Sequence, residues 1–104
     1  MEYVFEITDK TGKSIHLSDE RWKHILRHPF MFNQLENIQS TLQNLTTIRY
    51  FEGDEKVRYF YKEFKHRNPL EKYLLISVKY LNGKGFIITS FFTNKITGLK
   101  WKTI

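Results

Sequence analysis

The spacing of apolar positions changes once along this 104-residue chain. Residues 3–7 (Tyr-Val-Phe-Glu-Ile) and 14–17 (Ser-Ile-His-Leu) read as two short strands. Asp9-Lys10-Thr11-Gly12 between them is turn chemistry, so the pair predicts a hairpin. Ser18 is an N-cap residue, and Asp19 and Glu20 place negative charge in the first turn that follows it. A helix is expected over Asp19–Arg27, with Trp22, Ile25 and Leu26 as its buried stripe. Pro29 disfavours helical backbone at His28 and ends it there. A second helix is expected over Met31–Asn44, with its stripe at Met31, Leu35, Ile38, Leu42 and Leu45.

From Thr47 onward the residues are β-branched and aromatic, and strands are expected at 47–51, 56–64, 72–81 and 85–93. Asn82-Gly83 signals a type I′ hairpin, because both central residues need positive φ. Lys65–Glu71, with Asn68-Pro69, reads as a longer basic loop. This order predicts one α+β domain over residues 1–104. It is a short N-terminal hairpin, two helices, then a four-stranded antiparallel sheet with the helices on one face. The other face is left for a ligand.

Composition narrows the chemistry. There is no cysteine, which removes a disulfide scaffold, a cysteine-ligated zinc site and a thiol nucleophile. No apolar run reaches the roughly 18 residues of a membrane span. The start, Met1-Glu2-Tyr3-Val4-Phe5-Glu6, lacks the pattern of a secretory signal, so the cytoplasm is the expected compartment. The formal charge is +6, unevenly placed. Residues 1–47 carry five basic and six acidic residues, net −1, whereas residues 48–104 carry twelve and five, net +7. A basic, aromatic half suits a polyanion such as RNA.

His24 and His28 lie four apart, on one face of an ideal helix, and Arg21 and Arg27 flank that face. Two imidazoles near one substrate can act as general base and general acid near neutrality. Guanidinium groups beside them can hold a phosphate. A plain solvated face has the same composition, and spacing alone leaves both readings open. A zinc site is not expected: the metalloprotease pattern needs glutamate where Ile25 stands, and the arginines would repel a dication. No cofactor is implied.

In the late strands, alternation puts Arg58, Phe60 and Lys62 on one face and Tyr59 and Tyr61 on the other. Lys79 interrupts an apolar strand. Thr89 and Ser90 are hydroxyls within another, and each needs a partner if buried. Pairing across Asn82-Gly83 sets Ile76 opposite Thr89 and Lys79 opposite Phe86. Thr89 and Lys79 then point to opposite faces unless a bulge intervenes. Lys95, in the polar turn Asn94-Lys95-Ile96-Thr97-Gly98, is either a solvated lysine or a phosphate contact.

The run from Ile15 to Pro29, with its Arg21-x-x-His24-Ile25-x-x-His28-Pro29 core, resembles the opening of phage-associated nucleases of the barnase–EndoU–colicin–RelE superfamily. Val57–Tyr61, Tyr73–Lys79, Ile88–Phe91, Asn94-Lys95-Ile96 and Trp101 also look similar, in the same order. The resemblance implies a small metal-independent ribonuclease, often deployed as a toxin. In it His24 and His28 match the helix histidines, Arg58 the strand arginine and Thr89 the late-strand hydroxyl. Related nucleases often carry tyrosine where this chain has Phe91.

The resulting expectation is an endoribonuclease acting by attack of the 2′-hydroxyl on the adjacent phosphate. His24 and His28 exchange protons, Arg58 and Thr89 serve the phosphate, and Arg21, Arg27, Tyr61, Lys79 and Lys95 bind RNA. An acidic antitoxin or immunity protein would complement the +7 half. The alternative is a non-catalytic basic module that binds RNA or DNA.

Overall fold

A computed structural model of the chain describes residues 3–44, 47–51, 53–65, 67–96 and 99–100. Strand β1 (Tyr3–Thr8) and strand β2 (Ser14–Ser18) form the N-terminal hairpin. Helix α1 (Asp19–Ile25) and helix α2 (Leu35–Gln43) follow. Then come β3 (Thr47–Phe51), β4 (Asp54–Glu63), a 3-10 turn at Pro69–Glu71, β5 (Tyr73–Leu81), β6 (Lys84–Thr93) and the two-residue β7 (Leu99–Lys100). Leu45 of the expected helical stripe, and Trp101, lie outside the described residues. No helix among the described residues is long and apolar enough to cross a membrane.

The separate four-stranded antiparallel sheet is not what forms. One mixed sheet runs β1-β2-β6-β5-β4-β3-β7. The hairpin joins it because β2 pairs in parallel with the start of β6: Ser14 with Lys84, Ile15 with Gly85, His16 with Phe86. Gly85 permits this close junction. A Cβ there would come within 3.0 Å of side-chain carbons of Ile15, Tyr80 and Val78. A parallel pairing between segments some seventy residues apart leaves no local mark in the sequence.

The helices cover one face of the sheet. Ile25, Met31, Ile38 and Leu42 pack there against Phe60, Leu74, Ile76, Val78 and Ile87. Both helices are shorter than expected. Residues 26–28 close α1 in a tightened turn, with Arg27 N–H donating to His24 O (3.1 Å) and His28 N–H to Ile25 O (2.9 Å). Leu26, expected in the buried stripe, is exposed. The next residues turn sharply instead of starting α2. Phe30 sits at φ +67°, a region that costs a bulky residue about 1–3 kcal/mol. Its ring is more than half exposed, so burial returns little of that cost. Replacing Phe30 with glycine should therefore raise stability by about 1 kcal/mol, read as a higher midpoint in urea unfolding.

One buried polar network fastens the hairpin turn to the sheet. Asp9 Oδ1 accepts from Thr11 N (2.8 Å), Thr11 Oγ1 (2.8 Å) and Lys13 N (2.9 Å), and Oδ2 accepts from Tyr80 OH at 2.6 Å. Burial, reinforced by the Asp9 carboxylate, holds the Tyr80 phenol well above its ordinary pKa. The Arg58 guanidinium lies over the Tyr80 ring, 4.3 Å from its centroid. Ser90, fully buried, also bonds within the fold, donating to Leu75 O at 2.7 Å.

Candidate active site

The hairpin turn forms as its residues require, with Asn82 at φ 53° and Gly83 at φ 80°. Pairing follows the expected register from Leu81–Lys84 to Val78–Ile87. A bulge then intervenes, and beyond it Ser77 pairs with Thr89 and Ile76 with Ser90. The extra residue is Ile88, and it moves Thr89 onto the sheet face away from the helical core. Thr89 and Lys79 therefore share a face, since Lys79 and Ser77 are two residues apart on one strand.

Register fills out the row. Arg49 pairs with Tyr59, Tyr59 with Ser77 and Ser77 with Thr89. Beside that row Tyr61 pairs with Leu75 and Leu75 with Phe91. A cavity of about 390 Å³ lies over this face, lined by Tyr59, Tyr61, Ser77, Thr89, Phe91 and Lys95 among others. Tyr61 is only 2% exposed, so its ring is floor beneath the cavity rather than an open platform for a base. Tyr59 and Phe91 are the half-exposed rings of that surface.

Helix α1 delivers the histidines to the edge of this face. Ser18 caps it, its hydroxyl accepting from Arg21 N–H at 3.2 Å. The strand β2 stops pairing with β6 at His16–Phe86, and α1 continues along β6 from there. The tightened turn after Ile25 rotates His28 toward the sheet. Its ring lies 5.1 Å from Phe91, and its Nε2 is 3.4 Å from Thr89 Oγ1. The His24 ring stands edge-on to it, with centroids 5.8 Å apart. Burial lowers the pKa of His28, and the charge of His24 lowers it further. A depression of about 340 Å³ beside His24 is lined by Glu20, Arg21, Lys23 and Arg27.

Of the expected site residues, the fold thus gathers His24, His28, Thr89, Arg21 and Arg27, with Tyr61 and Lys95 in the adjoining cavity. Two are placed elsewhere. Arg58 pairs with Val78 on the helix-covered face and stacks on Tyr80, so it cannot reach Thr89 from there. Lys79 is on the site face, but its Nζ is 3.4 Å from Asp54 Oδ2 and it lies a full strand repeat from Ser77. Arg49, missed in the sequence, is the strand arginine on the site face. Its Nε is buried and lacks a hydrogen-bond partner among the described residues. Its signal was available in the alternation of Thr47–Phe51, given the pairing with Tyr59. Among the described residues no three His, Asp or Glu side chains gather as a metal site requires.

Comparison of the chain with protein-family models, with curated proteins and with solved structures finds no match in any of the three.

Proposed function

We propose that this protein is a metal-independent endoribonuclease, and that His28 and His24 are its general base and general acid. The observation that carries the reading is the contact of His28 Nε2 with Thr89 Oγ1 at the mouth of an aromatic cavity, with His24 alongside. A base must be neutral to accept a proton, and burial keeps His28 neutral to lower pH than a free histidine. His28 Nε2 takes the 2′-hydroxyl proton as the 2′-oxygen attacks phosphorus. The P–O5′ bond breaks and His24 protonates the departing 5′-oxygen. The products are a 2′,3′-cyclic phosphate and a 5′-hydroxyl. The Thr89 hydroxyl donates to a non-bridging oxygen as charge builds on it. Arg21 and Arg27, beside His24, hold a neighbouring phosphate.

The pH profile of cleavage tests this assignment. Activity requires neutral His28, so kcat/KM should fall as pH drops through a pKa lower than that of a free histidine. His24→Ala removes one of the two causes of that lowering. The residual activity of this variant should lose its acid limb at a higher pH than wild type. An acid limb above 6.5, or one unmoved in the variant, contradicts the assignment. Salt-dependent binding of RNA without cleavage at any pH would make the protein a binding module instead.

A free ribonuclease arrests the cell that makes it, so the same reading makes the protein a toxin masked by an acidic inhibitor. Expression of wild type should halt growth, and expression of the His24→Ala, His28→Ala double variant should not.

A further inference from the structure

A row of paired residues crosses the site face at right angles to the strands: Thr89 on β6, Ser77 on β5, Tyr59 on β4 and Arg49 on β3. Neighbouring strands lie about 4.8 Å apart, so three spacings set the Arg49 backbone roughly 14 Å from that of Thr89. The side on which Arg49 stands follows from its neighbour. Ile48 packs against the helix-covered core, so Arg49, one residue on, is on the opposite face beside Tyr59. The 390 Å³ cavity, whose walls include Tyr59, Ser77 and Thr89, lies between the two ends of the row.

Nothing in the fold engages Arg49 as a cation. The side chain is half-buried, and its Nε is sealed from solvent without a partner among the described residues. Lys72, Arg67 and Lys79 are each held by a carboxylate, and Arg49 is in none of those ion pairs. A buried polar group without a partner is costly, and such a group calls for an explanation outside the fold. A guanidinium offers a fixed fork of donors that matches a phosphate, and it keeps its charge at any working pH. At the far end of the same face, Arg21 and Arg27 stand beside His24.

We infer that Arg49 grips an RNA phosphate more than one nucleotide away from the bond cut at His28, so that the single strand lies across the sheet from α1 to β3. The inference rests on the ribonuclease reading and adds the course and the length of its substrate. Roughly 14 Å is more than one nucleotide step covers, so the scissile phosphate beside Thr89 and the phosphate at Arg49 are different ones. Tyr59, with its half-exposed ring, lies between them. Arg49 is thus a binding residue. It holds the substrate equally before and during the reaction, which changes KM and leaves kcat alone.

The test compares substrate lengths on the whole protein. Two series of RNA start from one dinucleotide and lengthen to about eight nucleotides, on its 5′ or its 3′ side. Arg49→Met should raise KM for the longest member of one series about tenfold or more, with kcat unchanged. Its kcat/KM on the dinucleotide should equal wild type, which also reports that the variant is folded. Binding of matching 2′-deoxy strands, followed by fluorescence anisotropy, should lose about 0.7 from the slope of log affinity against log salt. Arg49→Lys keeps the charge and should restore that slope. Arg49→Gln replaces the methionine variant if that one does not fold.

An equal loss on every length, as a merely structural arginine would give, overturns the inference. Wild-type KM and affinity on every length also overturn it, and leave the ribonuclease reading standing. A loss of affinity confined to long strands, with no RNA cut at any length, sustains the grip of Arg49 and removes the ribonuclease.

Discussion

Alanine in place of His28 should reduce kcat/KM for RNA cleavage by about 10²–10⁴-fold, the usual worth of a positioned proton-transfer group. The protein should stay folded, because His28 is half-buried at the end of a turn and lies outside the buried apolar core, with its ring beside His24, Thr89 and Phe91. His24→Ala should fall in the same range. Combining the two should lose less than the product of the single effects, since groups that act as one unit are not additive. Arg58→Met is the informative contrast. Its guanidinium packs on Tyr80 on the opposite face, so the folded variant should cleave RNA as wild type does and lose only stability. A cleavage defect in Arg58→Met comparable with that of His28→Ala would mean the two sheet faces are assigned wrongly. The assay is initial-rate cleavage of a fluorescent single-stranded RNA with chelator present.

The largest stability effect should come from Asp9→Ala. Asp9 is 5% exposed and accepts four hydrogen bonds, from two backbone amides and two hydroxyls. Hydrogen bonds to a charged group contribute about 1.5–3 kcal/mol each, and they are not additive within one network. A loss of about 3–5 kcal/mol is expected, because the substitution strands the buried Tyr80 hydroxyl and frees the turn that joins β1 to β2. That turn carries the hairpin on which α1 is mounted. The variant should show a lower urea midpoint with unchanged slope. At temperatures where it is folded, its cleavage rate should match wild type, since Asp9 lies on the helix-covered face with Tyr80. Tyr80→Phe keeps the ring and removes one donor, so about 1–3 kcal/mol is expected there.

Much of the fold's local structure was legible in the chain. Period-two alternation located the strands from 47 onward, the Ser18-Asp19-Glu20 run started α1, and Asn82-Gly83 closed its hairpin with positive φ at both residues. The errors in sheet architecture were non-local. Ile15 pairing with Gly85 is a contact between distant segments, and it turned two supposed units into one mixed sheet. The bulge at Ile88 has no composition of its own, since Ile87-Ile88 reads as uninterrupted strand. It reversed the face of Thr89, which simple alternation had opposed to Lys79.

Charge was legible in amount and misleading in place. The basic excess lies in residues 48–104, but three of its cations are spoken for: Lys72 by Glu63, Arg67 by Glu71 and Lys79 by Asp54. The cations beside His24 are Arg21, Lys23 and Arg27, from the half whose net charge is −1. If the protein binds RNA as proposed, the salt dependence should follow local clusters rather than the sum over the half. Phe30 could not be anticipated at all, since nothing in Pro29-Phe30-Met31 announces a left-handed phenylalanine.

One measurement decides whether the two histidines do this chemistry: the 3′ ends left on RNA cut by the wild-type protein in a chelator. With 2′-hydroxyl attack, the fragments carry 2′,3′-cyclic phosphates opposite 5′-hydroxyls, and a single 2′-deoxy substitution at the cut position blocks cleavage there. Fragments ending in 3′-hydroxyl and 5′-phosphate, or undiminished cutting at the 2′-deoxy position, would contradict it.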